Sequence, residues 1–199
     1  MRVTFPHLGN LWIPTKAFLR SLGHDVITPP PTTKRTVSLG ARHTPDGACL
    51  PLKVTMCNFI EAAELGADTI LMVGGIGPCR LGCYCELQRR ALAKAGCSAR
   101  LIVVEPPRSD LWGFASMVRT IRRRATFRQV LEASRLAWAK FRAVDALDQA
   151  ANMARWREIG PGRVDACIGR GLALLDAAET CSAVREAAEQ TLHDVQGCT

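Results

Sequence analysis

The sequence predicts an α/β chain, with a parallel four-stranded sheet in its first half and helices alone in its second. Three observations predict it. Short apolar runs alternate with helical patterns through the first 107 residues, as in βαβ units. After Pro107 the strand signals stop, and apolar residues recur at three- and four-residue spacing instead. A Gly160-Pro161-Gly162 turn then divides the remaining stretch into two helical arms.

Each element has a local reason. Residues 2–5 form a strand, and 11–22 a helix that ends at Gly23 and offers Ile13, Ala17 and Phe18 to a core. A second strand, 25–28, is closed by Pro29-Pro30-Pro31. Thr32 or Thr33 is a good N-cap for a helix running toward Ala41. Residues 50–65 are helical with a stop at Gly66, 69–73 are the third strand, 84–95 the next helix, and 100–104 the fourth strand. Short strand–helix connections imply a parallel, Rossmann-like sheet. Beyond it, 110–124 reads as a helix. Phe127, Leu131, Ser134, Trp138 and Phe141 open a long amphipathic helix reaching Trp156, and 164–190 is a second, weakened by Gly169 and Gly171. The division is therefore 1–107, a Rossmann-like α/β lobe with a cysteine site, and 108–199, a C-terminal αα-hairpin. Trp112, Trp138 and Trp156 are expected to pack in the core or within the hairpin.

Apolar residues make up 48% of the 199, and charged ones 22%, the balance of a soluble globular protein. No run is long enough for a membrane helix, and the N-terminal residues lack a signal-peptide core, so a cytoplasmic location is expected. Nine cysteines in that setting argue for thiols or metal ligation rather than disulfides. The net charge of +8 owes much to Arg119, Arg122, Arg123, Arg124 and Arg128. These read as a solvated helix face in preference to a nucleic-acid surface.

The chemistry concentrates in Gly74-Gly75-Ile76-Gly77-Pro78-Cys79-Arg80-Leu81-Gly82-Cys83-Tyr84-Cys85. This glycine-rich turn follows the third strand, where open α/β sheets bind ligands. Cys49 precedes another helical pattern in Cys49-Leu50-Pro51, where proline leaves first-turn amides free to lower a thiol pKa. Cys49, Cys79, Cys83 and Cys85 supply four sulfurs for a tetrahedral zinc or an iron–sulfur cluster, or else some are buried fillers. The C-x₃-C and C-x-C spacings are not those of zinc ribbons. Lys53 and Arg80 either balance an anionic cluster or phosphate or are surface charges. His7, at the end of the first strand, faces the ligand crevice or is a loop histidine satisfied by backbone; Asn10 and Lys34 have the same standing. Cys57, Cys97 and Cys167 read as packing thiols, and no spacing ties Cys181 or Cys198 to a site.

Five ordered motifs carry a family resemblance: Val3-Thr4-Phe5-Pro6-His7-Leu8-Gly9-Asn10-Leu11, Pro29-Pro30-Pro31-Thr32-Thr33-Lys34, Ala48-Cys49-Leu50-Pro51-Leu52-Lys53, Gly66-Ala67-Asp68-Thr69-Ile70 and the segment from Gly74 to Gly82. Together they resemble the CoA protein activase-related proteins of the 2-hydroxyacyl-CoA dehydratase and double-cubane cluster superfamily. The resemblance covers the first 107 residues strongly and the helical part loosely. It implies an iron–sulfur redox subunit, of the 4Fe-4S type, held by strand-end cysteines between Rossmann-like lobes. It also implies electron transfer from a partner ATPase activase, and an acyl-CoA-type small molecule as substrate. A second lobe would come from another chain or from a homodimer. The sequence holds no GxxxxGK[ST] phosphate loop, which assigns ATP hydrolysis to the partner. The competing expectation is a non-catalytic interaction module, zinc-binding or without metal.

Overall fold

The computed structural model describes residues 1–75, 80–105 and 111–199. Four strands, β1 (Arg2–Thr4), β2 (Asp25–Val26), β3 (Thr69–Val73) and β4 (Arg100–Val104), form one all-parallel sheet in the order β2-β1-β3-β4. The expected Rossmann-like α/β sheet is thus present. β3 is central and buried over Thr69, Ile70, Leu71 and Met72, which is why its sequence is continuously apolar rather than alternating. It pairs with β1 through Val3↔Thr69 and with all five residues of β4. β2 is shorter than the sequence predicts. Ile27 N still donates to Val3 O at 2.9 Å, but the prolines that follow have no N–H to extend the ladder.

The chain forms two compact units. The first is Met1–Leu8 with Leu22–Arg124, the second Gly9–Ser21 with Ala125–Thr199. Packing therefore divides the chain elsewhere than at residue 107. Helix α1 (Trp12–Ser21) joins the helical unit, because Ile13, fully buried, belongs to that unit's core. Helix α5 (Leu111–Arg122) stays in the sheet unit. His24 Nε2 donates to Ile121 O at 2.6 Å, and Arg123 Nη1 donates to Gly23 O at 2.7 Å, which fastens the end of α5 to the start of β2.

In the sheet unit, α2 (Lys34–Arg42) begins at a Thr33–Thr36 capping box. α3 (Leu50–Glu64) and α4 (Tyr84–Lys94) pack Leu52, Met56, Phe59, Tyr84 and Leu92 against Ile70 and Met72. Arg35 on α2 pairs with Glu64 at 3.5 Å, while Gly40 abuts the Lys53 carbonyl. α2 is therefore antiparallel to α3, and residues 29–33 carry the chain back from the carboxyl end of β2 to the far end of the sheet.

The helical unit adds α6 (Phe127–Ala154), α7 (Arg163–Ala177) and α8 (Cys181–Gln196). The second arm of the expected hairpin is thus two helices. The break is at 178–180 rather than at the glycines: Ala178 is extended, and Thr180 accepts from Ala183 N at 3.2 Å, starting a new helix. Gly171 serves packing instead, since a Cβ there would collide with the Thr191 side chain on α8. Val144, Leu147, Val164, Leu175, Val184 and Val195 form the core. Lys140 is buried and donates to Asp176 O at 2.9 Å, capping the end of α7. Burial holds its pKa below the usual lysine value. Contrary to the sequence expectation, Trp112, Trp138 and Trp156 are exposed (88%, 63% and 89%); Trp138 stacks on Phe141 with ring centroids 5.5 Å apart.

Candidate functional site

The parallel order β2-β1-β3-β4 places a switch point between β1 and β3, and crevices of this kind bind ligands outside the carboxyl ends of the strands. Three pieces of chain meet the sheet on that side: the segment after β1, the start of α3, and the turn from β3 into α4. Cys49 caps α3 without a side-chain capping bond, with Pro51 in the first turn. Its thiol is half-buried and hydrogen-bonds the hydroxyl of Tyr84, the first residue of α4. A thiol at a helix start feels the positive end of the helix dipole, which favours the thiolate. Tyr84 is the molecule's single tyrosine and is itself buried, so the contact is a fixed one.

Cys83 and Cys85 flank Tyr84 in sequence and have opposite environments. Cys83, the N-cap of α4, is exposed. Cys85 is buried with Sγ 3.7 Å from the Val73 carbonyl, to which it donates. Burial, and next the charge of Glu105, push its pKa up and keep it a neutral thiol. Gly82 lies against Gly75 O, where no Cβ fits. Cys79 and the side chain of Arg80 lie outside the described residues.

The remaining expected site residues separate. His7 is half-buried at the end of β1, and its backbone N–H donates to Asn58 Oδ1 at 3.1 Å. Burial lowers its pKa, favouring a neutral imidazole. Lys53, one turn into α3, turns back to donate to Asp46 O at 3.1 Å. Lys34 lies at the other end of α3, about 22 Å away along a 15-residue helix, because α2 is antiparallel to it. Asn10 belongs to the helical unit, where its amide donates to Asp148 at 2.9 Å.

Tyr84, Asn58 and Gln88 are the site residues that sequence reasoning missed. Gln88, one turn past Tyr84 and fully buried, donates to Thr55 Oγ1 at 2.9 Å, and Thr55 donates to Pro51 O at 2.9 Å. This chain of bonds ties α4 to the first turn of α3. Beside it opens a cleft of about 400 Å³ lined by Leu52, Met56 and Gln88 together with Arg42, His43 and Lys94. Only the lone tyrosine after a glycine-rich turn was a signal available in the sequence; an asparagine or glutamine inside a helix carries none.

For an iron–sulfur group the donor chemistry fits in part. Cys49 and Cys83 offer thiols, whereas Cys85 is packed as a neutral one. Among the described residues no three His, Cys, Asp or Glu side chains converge as a metal-holding group. Nor, among them, is any helix long and apolar enough to cross a membrane. No family model, curated protein or solved structure matches the chain, so the chemistry around Cys49 and Tyr84 carries the functional reading.

Proposed function

We propose that the chain is an iron–sulfur cluster-binding redox subunit of the 2-hydroxyacyl-CoA dehydratase type, accepting a low-potential electron from a partner ATPase activase. The observation that carries this reading is the Cys49 thiol, set at the start of α3 against the Tyr84 hydroxyl beside the glycine-rich turn after β3. Cys49, Cys79 and Cys83 would hold the group, which supplies one-electron transfer when bound. The start of α3 favours the thiolate of Cys49, and Tyr84 steadies that sulfur with its O–H. Cys85 keeps its proton. The fourth thiolate comes from a second copy or from the partner chain. Arg42, His43 and Lys94 around an apolar cleft suit an anionic ligand with an apolar body, the chemistry of an acyl-CoA-type molecule.

The test is iron and acid-labile sulfide content, with a visible spectrum, on protein purified without oxygen. Iron, sulfide and broad absorption near ~400 nm are expected. Cys49→Ser and Cys79→Ala bring both contents to background, and Cys97→Ala leaves them unchanged. Zinc in place of iron would favour a metal-stabilised interaction module. Absence of both metals, or equal loss in all three variants, would overturn the proposal.

A further inference from the structure

In the helical unit, Cys167 on α7 and Cys198, just past the end of α8, stand with their sulfurs 3.2 Å apart. Both are buried, at 7% and 4% exposure. Arg170 Nη2 donates to Cys167 Sγ at 3.0 Å, so a guanidinium lies directly against this sulfur. Cys198 donates to Asp194 O at 3.3 Å and keeps its proton: the contact with Cys167 first, and burial second, push its pKa up. The two sulfurs thus have different surroundings, one against a guanidinium and the other against a helix carbonyl. A disulfide needs the sulfurs about 2.05 Å apart, an approach of roughly 1 Å. Cys198 sits in a short turn beyond its helix, where such a shift disturbs no helical interior.

From this geometry we infer that Cys167 and Cys198 form an oxidisable dithiol, converted by a small peroxide to an intramolecular disulfide. The Cys167 sulfur, giving up its proton, attacks one peroxide oxygen; the S–O bond forms, the O–O bond breaks, and the departing hydroxide takes that proton to become water. Cys198, giving up its proton, then attacks the Cys167 sulfur. The S–S bond forms, the S–O bond breaks, and a second water leaves. In sum, two thiols and one hydrogen peroxide give one disulfide and two waters, with two electrons passing from sulfur to oxygen. The bond closes the chain around α8. Because Cys198 O also accepts from Ile159 N at 3.0 Å, the disulfide fastens the α6–α7 connection, α7 and the end of α8 together.

The experiment treats the full chain with hydrogen peroxide, blocks remaining thiols with iodoacetamide under denaturing conditions, and maps tryptic peptides. The expected product joins the peptide 164–170 to the peptide 186–199, two hydrogens lighter than their sum, and dithiothreitol separates them. The melting temperature rises by roughly 5–10 °C on oxidation and returns on reduction. Cys167→Ser and Cys198→Ser each remove the linked peptide and the shift, while Cys181→Ser keeps both. A Cys167 sulfinic acid with Cys198 still alkylated would overturn the inference. So would a disulfide to any other cysteine, or both thiols unchanged where Cys83 is oxidised. The wild-type peptide map decides the matter even if a variant folds poorly.

Discussion

The cysteines of the sheet unit and those of the helical unit invert the relation between sequence and space. Cys83 and Cys85 are two residues apart, yet one is exposed and the other buried against Val73 O. Two residues on a helix differ by about 200° in direction, so a C-x-C pair entering a helix faces two ways. Cys167 and Cys198 are separated by the whole of α8, and their sulfurs touch. Spacing in sequence is a guide to a shared site only when the intervening chain folds back, and here an interhelical contact, with no local motif, makes the pair.

The comparison is broken most strongly at one tight glycine in each unit, Gly82 and Gly171. Gly82→Ala drives a Cβ into a backbone carbonyl, that of Gly75, which cannot turn aside; a loss of about 1–3 kcal/mol in urea unfolding is expected, together with loss of iron from the proposed centre. Gly171→Ala meets the side chain of Thr191, so a smaller loss is expected, with a lower yield of the Cys167–Cys198 disulfide as α8 is pushed from α7. A larger cost at Gly171 would reverse the ranking. Next comes thiol reactivity in the folded protein: iodoacetamide should modify Cys83 at least about tenfold faster than Cys85, which is buried with a raised pKa. Equal rates would mean that α4 does not separate them.

At neutral pH the smallest effect belongs to Cys57, on α3, which shows itself only in alkaline solution. Burial, and next the charge of Glu61, push its pKa from 9.0 up to about 12. The folded state therefore holds the proton more tightly than the unfolded chain. The resulting stability is present below pH 9 and is lost as pH rises from about 9 toward 12. Cys57→Ala should flatten that part of the stability–pH curve, read by urea midpoints across the range, and an unchanged slope would refute the assignment.

What the sequence disclosed follows from which forces are local. Thr33 and Thr126 each sit three residues before a side chain that returns the cap, so helix starts are legible in a few residues. The continuous apolar run at Thr69–Val73 marks a strand covered on both faces. The start of α3, with Cys49 ahead of Pro51, was legible for the same reason, as helix starts are encoded where they occur. The placement of Lys34 was not, because it depends on α2 running antiparallel to α3, fixed by contacts such as Arg35–Glu64. Neither Tyr84 against Cys49 nor Cys198 against Cys167 has a local signature, since each arises from the packing of two helices.

The membership of α1 has a consequence for how the chain is made. Its core residue Ile13 packs with the helices that follow residue 125, and 115 positions separate the first residue of α1 from the first of α6. At translation speeds of about 5–20 residues per second, α1 leaves the ribosome about 6–23 seconds before its partners are synthesised. Strand β1 has emerged before it, and β2, β3 and β4 all emerge within that interval. During biosynthesis α1 is thus a segment in waiting, its apolar stripe uncovered while its neighbours in sequence already have theirs buried, and it is the place where a chaperone would have the longest time to bind.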